Sequence, residues 1–203
     1  MAIHDASPND CADAAWQVRV QHEPFDVSSE MHAMRGADVG IGGIGLFVGT
    51  VRDLASGLHD QGSGAVSAGA VATGPELELE LEHYPGMTER SLQTMLQTAR
   101  QRFGLRAARI VHRVGRLGAG EPIVLVMAAA AHRHAALEGC AFLMDWLKTE
   151  APFWKKEHGV SGSRWVEARE ADSLAMARWA QPSANDLPGA DLAPPSDSSG
   201  AGR

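Results

Sequence analysis

From Thr88 onward the apolar residues Leu92, Met95, Leu96, Ala99 and Phe103 recur at i, i+3, i+4, i+7 and i+11, and the pattern stops at Gly104. That is the period of one buried helical face, closed by a residue suited to the left-handed C-terminal conformation, with Thr88 as the expected N-cap. The segments around it carry other periods. Trp16 to Val20, Ile44 to Arg52 and Leu77 to Glu82 alternate apolar and polar residues as half-buried strands do, and strands are also expected at Ala108 to Val114 and Pro122 to Ala130. A second helix is expected from about His134 to Glu150, with Leu137, Cys140, Ala141, Met144 and Leu147 as its apolar stripe and Pro152 helping to end it. A short strand around Arg164 to Ala168 and a helical segment near Asp172 to Trp179 complete the set. Strands and helices mix without strict βαβ alternation, which predicts an α+β fold with a largely antiparallel sheet and two main helices.

A chain of 203 residues with 44% hydrophobic content can bury one sizeable core. We expect a single domain over 15–180, flanked by a disordered leader at 1–14 and a disordered acidic tail at 181–203. The tail is built from Pro, Gly, Ala, Ser and Asp with almost nothing to bury. A Gly/Ala/Ser-rich stretch at 55–74 reads as a mobile loop inside the domain. The net charge of -7 is uneven: residues 1–40 carry -5, residues 170–203 carry -3, and the region between them is close to neutral at +1. A balanced centre can still hold a local basic pocket, because arrangement sets the field. No long basic face or RNA-binding aromatic motif appears, so nucleic acid is not expected as a partner. The start lacks a secretory signal and no stretch approaches the roughly 18 apolar residues of a membrane helix, so a cytoplasmic protein without membrane contact is expected. Cys11 and Cys140 are the only cysteines, too few for a disulfide framework.

Gly40-Ile41-Gly42-Gly43-Ile44-Gly45 matches G-x-G-x-x-G, but a dinucleotide fingerprint needs a strand before it and a helix opening on its last glycine. Here a strand follows, so the glycines read as a turn feeding the strand that carries Phe47 and Arg52. His132-Arg133-His134 has no third ligand at a recognisable spacing, and no metal is expected; at the end of a buried strand, His132 and Arg133 suit an anion, and a surface arginine beside a solvated histidine would give the same pattern. Lys148 lies eleven positions after Leu137, which places a lysine on the helix's apolar stripe. A cation snorkelling at a helix C-terminus would give the same pattern. Lys155 and Lys156, directly after Phe153 and Trp154, taken alone are a basic turn beyond the proline.

The runs FVGTVRD (47–53), LELEHYPGMTE (79–89), IVHRVGRLGAGEPIVLV (110–126), AAHRHAALEGCAFLMDWLKTEAPFWKKE (130–157) and RWVEARE (164–170), in this order, resemble the catalytic (large) subunit family of molybdopterin synthase. The resemblance implies an α/β-hammerhead-like fold. It also implies a sulfurtransferase of molybdenum cofactor biosynthesis that converts cyclic pyranopterin monophosphate to molybdopterin. The sulfur donor would be the C-terminal Gly thiocarboxylate of a small ubiquitin-like subunit, in a heterotetramer built on a homodimer of large subunits, with no resident cofactor. Carried over residue by residue, it places substrate contacts at Thr50, Val51, Arg52, His132, Arg133, Lys148, Lys155, Lys156 and Glu157, with Lys148 and Lys155 as the catalytic pair. Phe47 and Arg164 are additional candidates. The alternative is a non-catalytic module that binds a ubiquitin-like C-terminal tail or a phosphorylated ligand, which needs only a basic groove.

Overall fold

A computed structural model describes residues 15–52, 78–159, 162–166 and 176–180. The leader, the 55–74 loop and the acidic tail lie outside these residues, as does much of the expected segment at 172–179. The chain runs β1 (Trp16–Gln21), α1 (Val27–Arg35), β2 (Gly43–Thr50), β3 (Glu78–His83), α2 (Met87–Phe103), β4 (Ala107–Arg113), β5 (Gly115–Leu117), β6 (Pro122–Ala130), α3 (Arg133–Thr149), β7 (Phe153–Gly159), β8 (Gly162–Val166) and a 3-10 turn at Arg178–Ala180. The α+β expectation stands, but the strands form two four-stranded sheets instead of one.

The first sheet has the order β1-β4-β6-β2, with β1 parallel to β4 and the other two ladders antiparallel. Strand alternation divides its side chains between two cores. Ala108, Ile110, Val124, Val126 and Ala128 face α2 and α3, where Leu92, Met95, Phe103 and Leu143 pack on them. Ala107, Val111, Leu125, Met127 and Ala129 face the other way, against Met34 of α1 and Phe25. Covering both faces explains why β4 and β6 read as nearly continuous apolar runs.

The helix α1 has no counterpart among the expected elements. Asp26 caps it by accepting from the Ser29 amide at 2.7 Å, and its inward residues are Met34 and Glu30. Glu30 is buried because Arg109 of β4 meets it at 2.7 Å and Arg19 of β1 also pairs with it. An ion pair therefore occupies the position where an apolar residue would have completed a helical period.

The second sheet, β5-β3-β7-β8, is antiparallel throughout. Leu79, Leu81 and Leu117 on its inner face enclose Val51, and Ile123 packs against them, joining this small core to the larger one.

Two expectations need correction. Thr88 is not the N-cap of α2: Gly86 holds that place at φ 79°, its amide bonded to Glu89 at 2.6 Å, and Thr88 is fully buried within the first turn. Residues 153–159 are not a basic turn but the strand β7, paired on both sides.

Candidate functional site

Close approach of backbone to backbone determines how α3 lies. A Cβ on Gly42 would stand 2.1 Å from the Ala131 carbonyl oxygen, and one on Gly45 would stand 2.6 Å from that of Ala136. The glycine-rich run thus lets β2 press against the first turns of α3, and β2 does follow the glycines. Gly43 lies beside Arg133, and Gly45 beside Ala136 and Cys140, so α3 runs in the same direction as β2. Its C-terminus therefore reaches the end of the sheet where β2 finishes at Thr50, opposite Pro122.

At that end Thr50 and Arg52 are exposed. Val51 between them is buried, and both its backbone groups are engaged, its amide with the Glu121 carbonyl at 2.9 Å and its carbonyl with the Gly120 amide at 2.8 Å. It anchors the strand end, which aims its neighbours outward. Phe47, one strand face away from Leu46, is partly exposed and its ring lies over Gly49.

Lys148 is exposed near the C-terminus of α3. The face that α3 buries contains Ala136, Gly139, Cys140, Phe142, Leu143, Met144 and Leu147, whereas Leu137 is 60% exposed. Sharing a phase with Leu137 therefore put Lys148 at the margin of the buried face, not inside it. In β7 the strand period separates the two adjacent lysines. Lys155 is paired with Leu81 and shares the inner face, while Lys156, paired with Glu80 and Trp165, shares the outer one. The Lys156 ammonium lies 5.3 Å from the centre of the Trp165 ring. Glu157 is back on the inner face, where Arg164 of β8 donates to it from Nε at 2.9 Å and meets it through Nη2 at 2.8 Å.

His132 and Arg133 are exposed at the other end, where β6 passes into α3 and His132 is the N-cap. The sixteen residue steps from His132 to Lys148, at 1.5 Å rise each, separate that end from the lysine by about 24 Å. One chain brings Arg52, Lys148 and Lys155 to a single end of the molecule but does not bring His132 and Arg133 to them.

Two residues that sequence reasoning passed over stand beside the lysine arms. His112, in β4, is buried, and its ring stacks on that of Phe153 with centres 3.8 Å apart and planes 14° from parallel. Its Nδ1 lies 2.8 Å from the Arg113 carbonyl, an acceptor only, so Nδ1 carries the proton. Burial, and more weakly Lys155 and His83, push this imidazole down to about 4 and keep it neutral. His83, the cross-strand partner of Phe153, has its ring centre 6.4 Å from that of Phe153. A histidine at the inward position after Ala108 and Ile110, within a fully buried strand, was the signal available for His112. Cys140 is buried against the Val126 carbonyl and its thiol is pushed up to about 11, which leaves it unreactive.

The fold is thus an α+β subunit of two sheets that leaves an arginine and two lysines exposed, Arg52 after β2 and Lys148 and Lys155 on either side of the α3–β7 joint. Comparison with known proteins makes the class particular. The family described as MoaE protein matches residues 20–150, and the chain belongs to that family. It is 46% identical over 162 residues to the "Molybdopterin synthase catalytic subunit" of Ralstonia nicotianae, covering 80% of this chain and 83% of that protein. The protein of the same name from Pseudomonas aeruginosa is 46% identical over 162 residues, covering 80% and 97%. Among solved structures, the molybdopterin biosynthesis MoaE protein of Burkholderia ambifaria superposes with a TM-score of 0.65 at 43% identity, covering 81% of this chain and 98% of that one. A Helicobacter pylori complex of subunits 1 and 2 of molybdopterin-converting factor, at 17% identity and a TM-score of 0.57, shares the fold, covering 75% of this chain and 91% of that one. No helix among the described residues is long and apolar enough to cross a membrane.

Proposed function

We propose that this chain is the sulfurtransferase subunit of a molybdopterin synthase, acting in the cytoplasm on cyclic pyranopterin monophosphate with sulfur from the C-terminal Gly thiocarboxylate of a small ubiquitin-like subunit. Membership of the MoaE family supports the reaction, and the Helicobacter complex of two subunits supports a small partner. What supports the site is that Lys148 and Lys155 stand on either side of the α3–β7 joint, at the end of the sheet where β2 delivers Arg52. Substrate phosphate, thiocarboxylate and product thiolates are all anions, and preorganised cations stabilise charge that develops on them. Arg52, flanked by Thr50 and by the anchored Val51, holds the phosphate side. Lys148 moves protons as sulfur adds and the substrate oxygen leaves, and Lys155 stabilises the negative charge. Glu157, held by Arg164, borders the same face, Phe47 walls the approach, and Lys156 contributes from the outer face of the strand.

His132 and Arg133 enter from the partner large subunit. Their placement about 24 Å from Lys148 within one chain, together with a homodimeric core, favours a site completed across the dimer. The test is single-turnover product formation with thiocarboxylated small subunit and cyclic pyranopterin monophosphate. Lys148→Ala should lose at least about a hundredfold in rate while still binding the small subunit. Near-normal turnover in that variant rules the assignment out, and a complex that forms without any product from the unaltered chain would make this a binding module.

A further inference from the structure

The joint between α3 and β7 is held from three separate elements. From β4, His112 stacks flat on Phe153, the first residue of β7. From the first turn of α2, the buried Thr88 hydroxyl donates to the Pro152 carbonyl at 3.4 Å and accepts from the Tyr84 amide at 3.3 Å. From the end of β3, His83 pairs with Phe153 across the ladder, its ring centre 6.4 Å from that of Phe153 and its Nε2 3.5 Å from Glu89, which also accepts the Gly86 amide. His112 is itself fixed: the carbonyl it donates to belongs to Arg113, whose guanidinium bonds to the His22 and Pro122 carbonyls and to Glu121.

This arrangement gives the HYPGMTE segment a place in the molecule, since its His83, Thr88 and Glu89 close around Pro152 and Phe153. Lys148 lies five residues before Phe153 and Lys155 two after it, on the same strand face as that ring. Whatever fixes Phe153 therefore fixes how the helix-borne lysine and the strand-borne lysine stand to one another. An aromatic pair in contact contributes stability beyond the area it buries, so this stack ties the start of the strand to β4 more firmly than the buried area alone would.

We propose that His112 is a positioning residue for the lysine pair: by stacking on Phe153 it sets the separation and direction of Lys148 and Lys155. This rests on the reading that those two lysines act on the substrate. A shift of about 1 Å in a reacting group costs on the order of a hundredfold in rate, so a loosened joint should affect turnover far more than binding.

The test uses the full chain with thiocarboxylated small subunit and cyclic pyranopterin monophosphate, well below the unfolding temperature of every variant. His112→Ala should lower kcat by about ten- to a hundredfold with KM for the pterin little changed. His112→Phe, which keeps a stacked ring, should restore most of kcat. In the double variant with Lys155→Ala, loss of the ring should add little to loss of the lysine, because two residues acting as one unit are not additive. A normal kcat in His112→Ala, a His112→Phe as impaired as the alanine variant, or losses that multiply in the double variant would each overturn the proposal. The two readings fail differently. If Lys148→Ala and Lys155→Ala both turn over normally, the lysine site itself is wrong and the positioning role falls with it; if they are inactive while His112→Ala is normal, only the positioning role falls.

Discussion

His112 is also where residue chemistry and stability meet. Its folded-state value of about 4 lies below the ordinary 6.5 of a histidine, because the buried ring cannot easily take a charge, with Lys155 and His83 contributing more weakly. Above pH 6.5 both folded and unfolded chains hold it neutral, and it contributes no pH dependence. As the pH falls from 6.5 towards 4, only the unfolded chain takes up the proton, so stability is lost over that window. The loss attributable to this group is at most roughly 3 kcal/mol, from about 1.4 kcal/mol per unit. Paired carboxylates such as Glu80 and Glu89, whose values are lowered by His158 and by the Gly86 amide among others, add a further loss at lower pH. The distinguishing measurement is therefore a difference: denaturant unfolding of the unaltered chain and His112→Phe at pH 7, 6, 5 and 4.5. The phenylalanine variant should show the shallower decline, and parallel curves would mean that His112 is not held neutral by the fold.

At the scale of elements, what the sequence made legible followed the type of burial. The helix α2 and the start of β1 place apolar residues at one clear period, and β6 is an apolar run of strand length; the expected start of β1 and the expected bounds of α2 and β6 differ from the observed ones by a residue or so. The helix α1 escaped because Glu30, neutralised by Arg19 and Arg109, occupies its inward face, and the three-residue strand β5 is too short to show a period. Strand β7 escaped for another reason. Phe153, Trp154, Lys155 and Lys156 place apolar and charged residues in pairs, so no alternation is visible, although the strand period still sends Lys155 and Lys156 to opposite faces. The residues of the candidate site were legible through family motifs, whereas their supports, His112 and Thr88, became visible only when the packing of distant elements was known. The glycines of β2 were legible as not binding a nucleotide, but their use in packing was not. Gly45→Ala should accordingly destabilise the chain by about 1–3 kcal/mol, since the added carbon meets an unyielding backbone oxygen of α3. Thermal unfolding measures this, and Gly36→Ala, which meets nothing within 4 Å, isolates the cost of a positive φ without a clash.

At the scale of the whole molecule, α3 is long enough to carry its two ends to two different places. Its N-terminus presents His132 and Arg133, its C-terminus presents Lys148, and the helix between them is rigidly seated on β2 and β6. No bending of a packed helix can bring groups about 24 Å apart onto one small substrate. If both ends serve the same reaction, they do so in different copies of the site, as a two-fold symmetric dimer allows: each subunit lends its His132 and Arg133 to its partner and keeps its own Lys148. This has a consequence that a site confined to one chain does not share. Arg133→Ala and Lys148→Ala homodimers should each be impaired, because every site carries one lesion. A mixed dimer holds one site with both lesions and one with neither. Random reassortment of equal amounts should then recover about a quarter of the activity of the unaltered protein, half of the dimers being mixed and half of their sites intact. The measurement is product formation before and after subunit exchange, with the mixed dimer identified by native mass spectrometry. Mixed dimers that form and remain as inactive as their parents would place Arg133 and Lys148 in the same site of the same chain, against the geometry of α3.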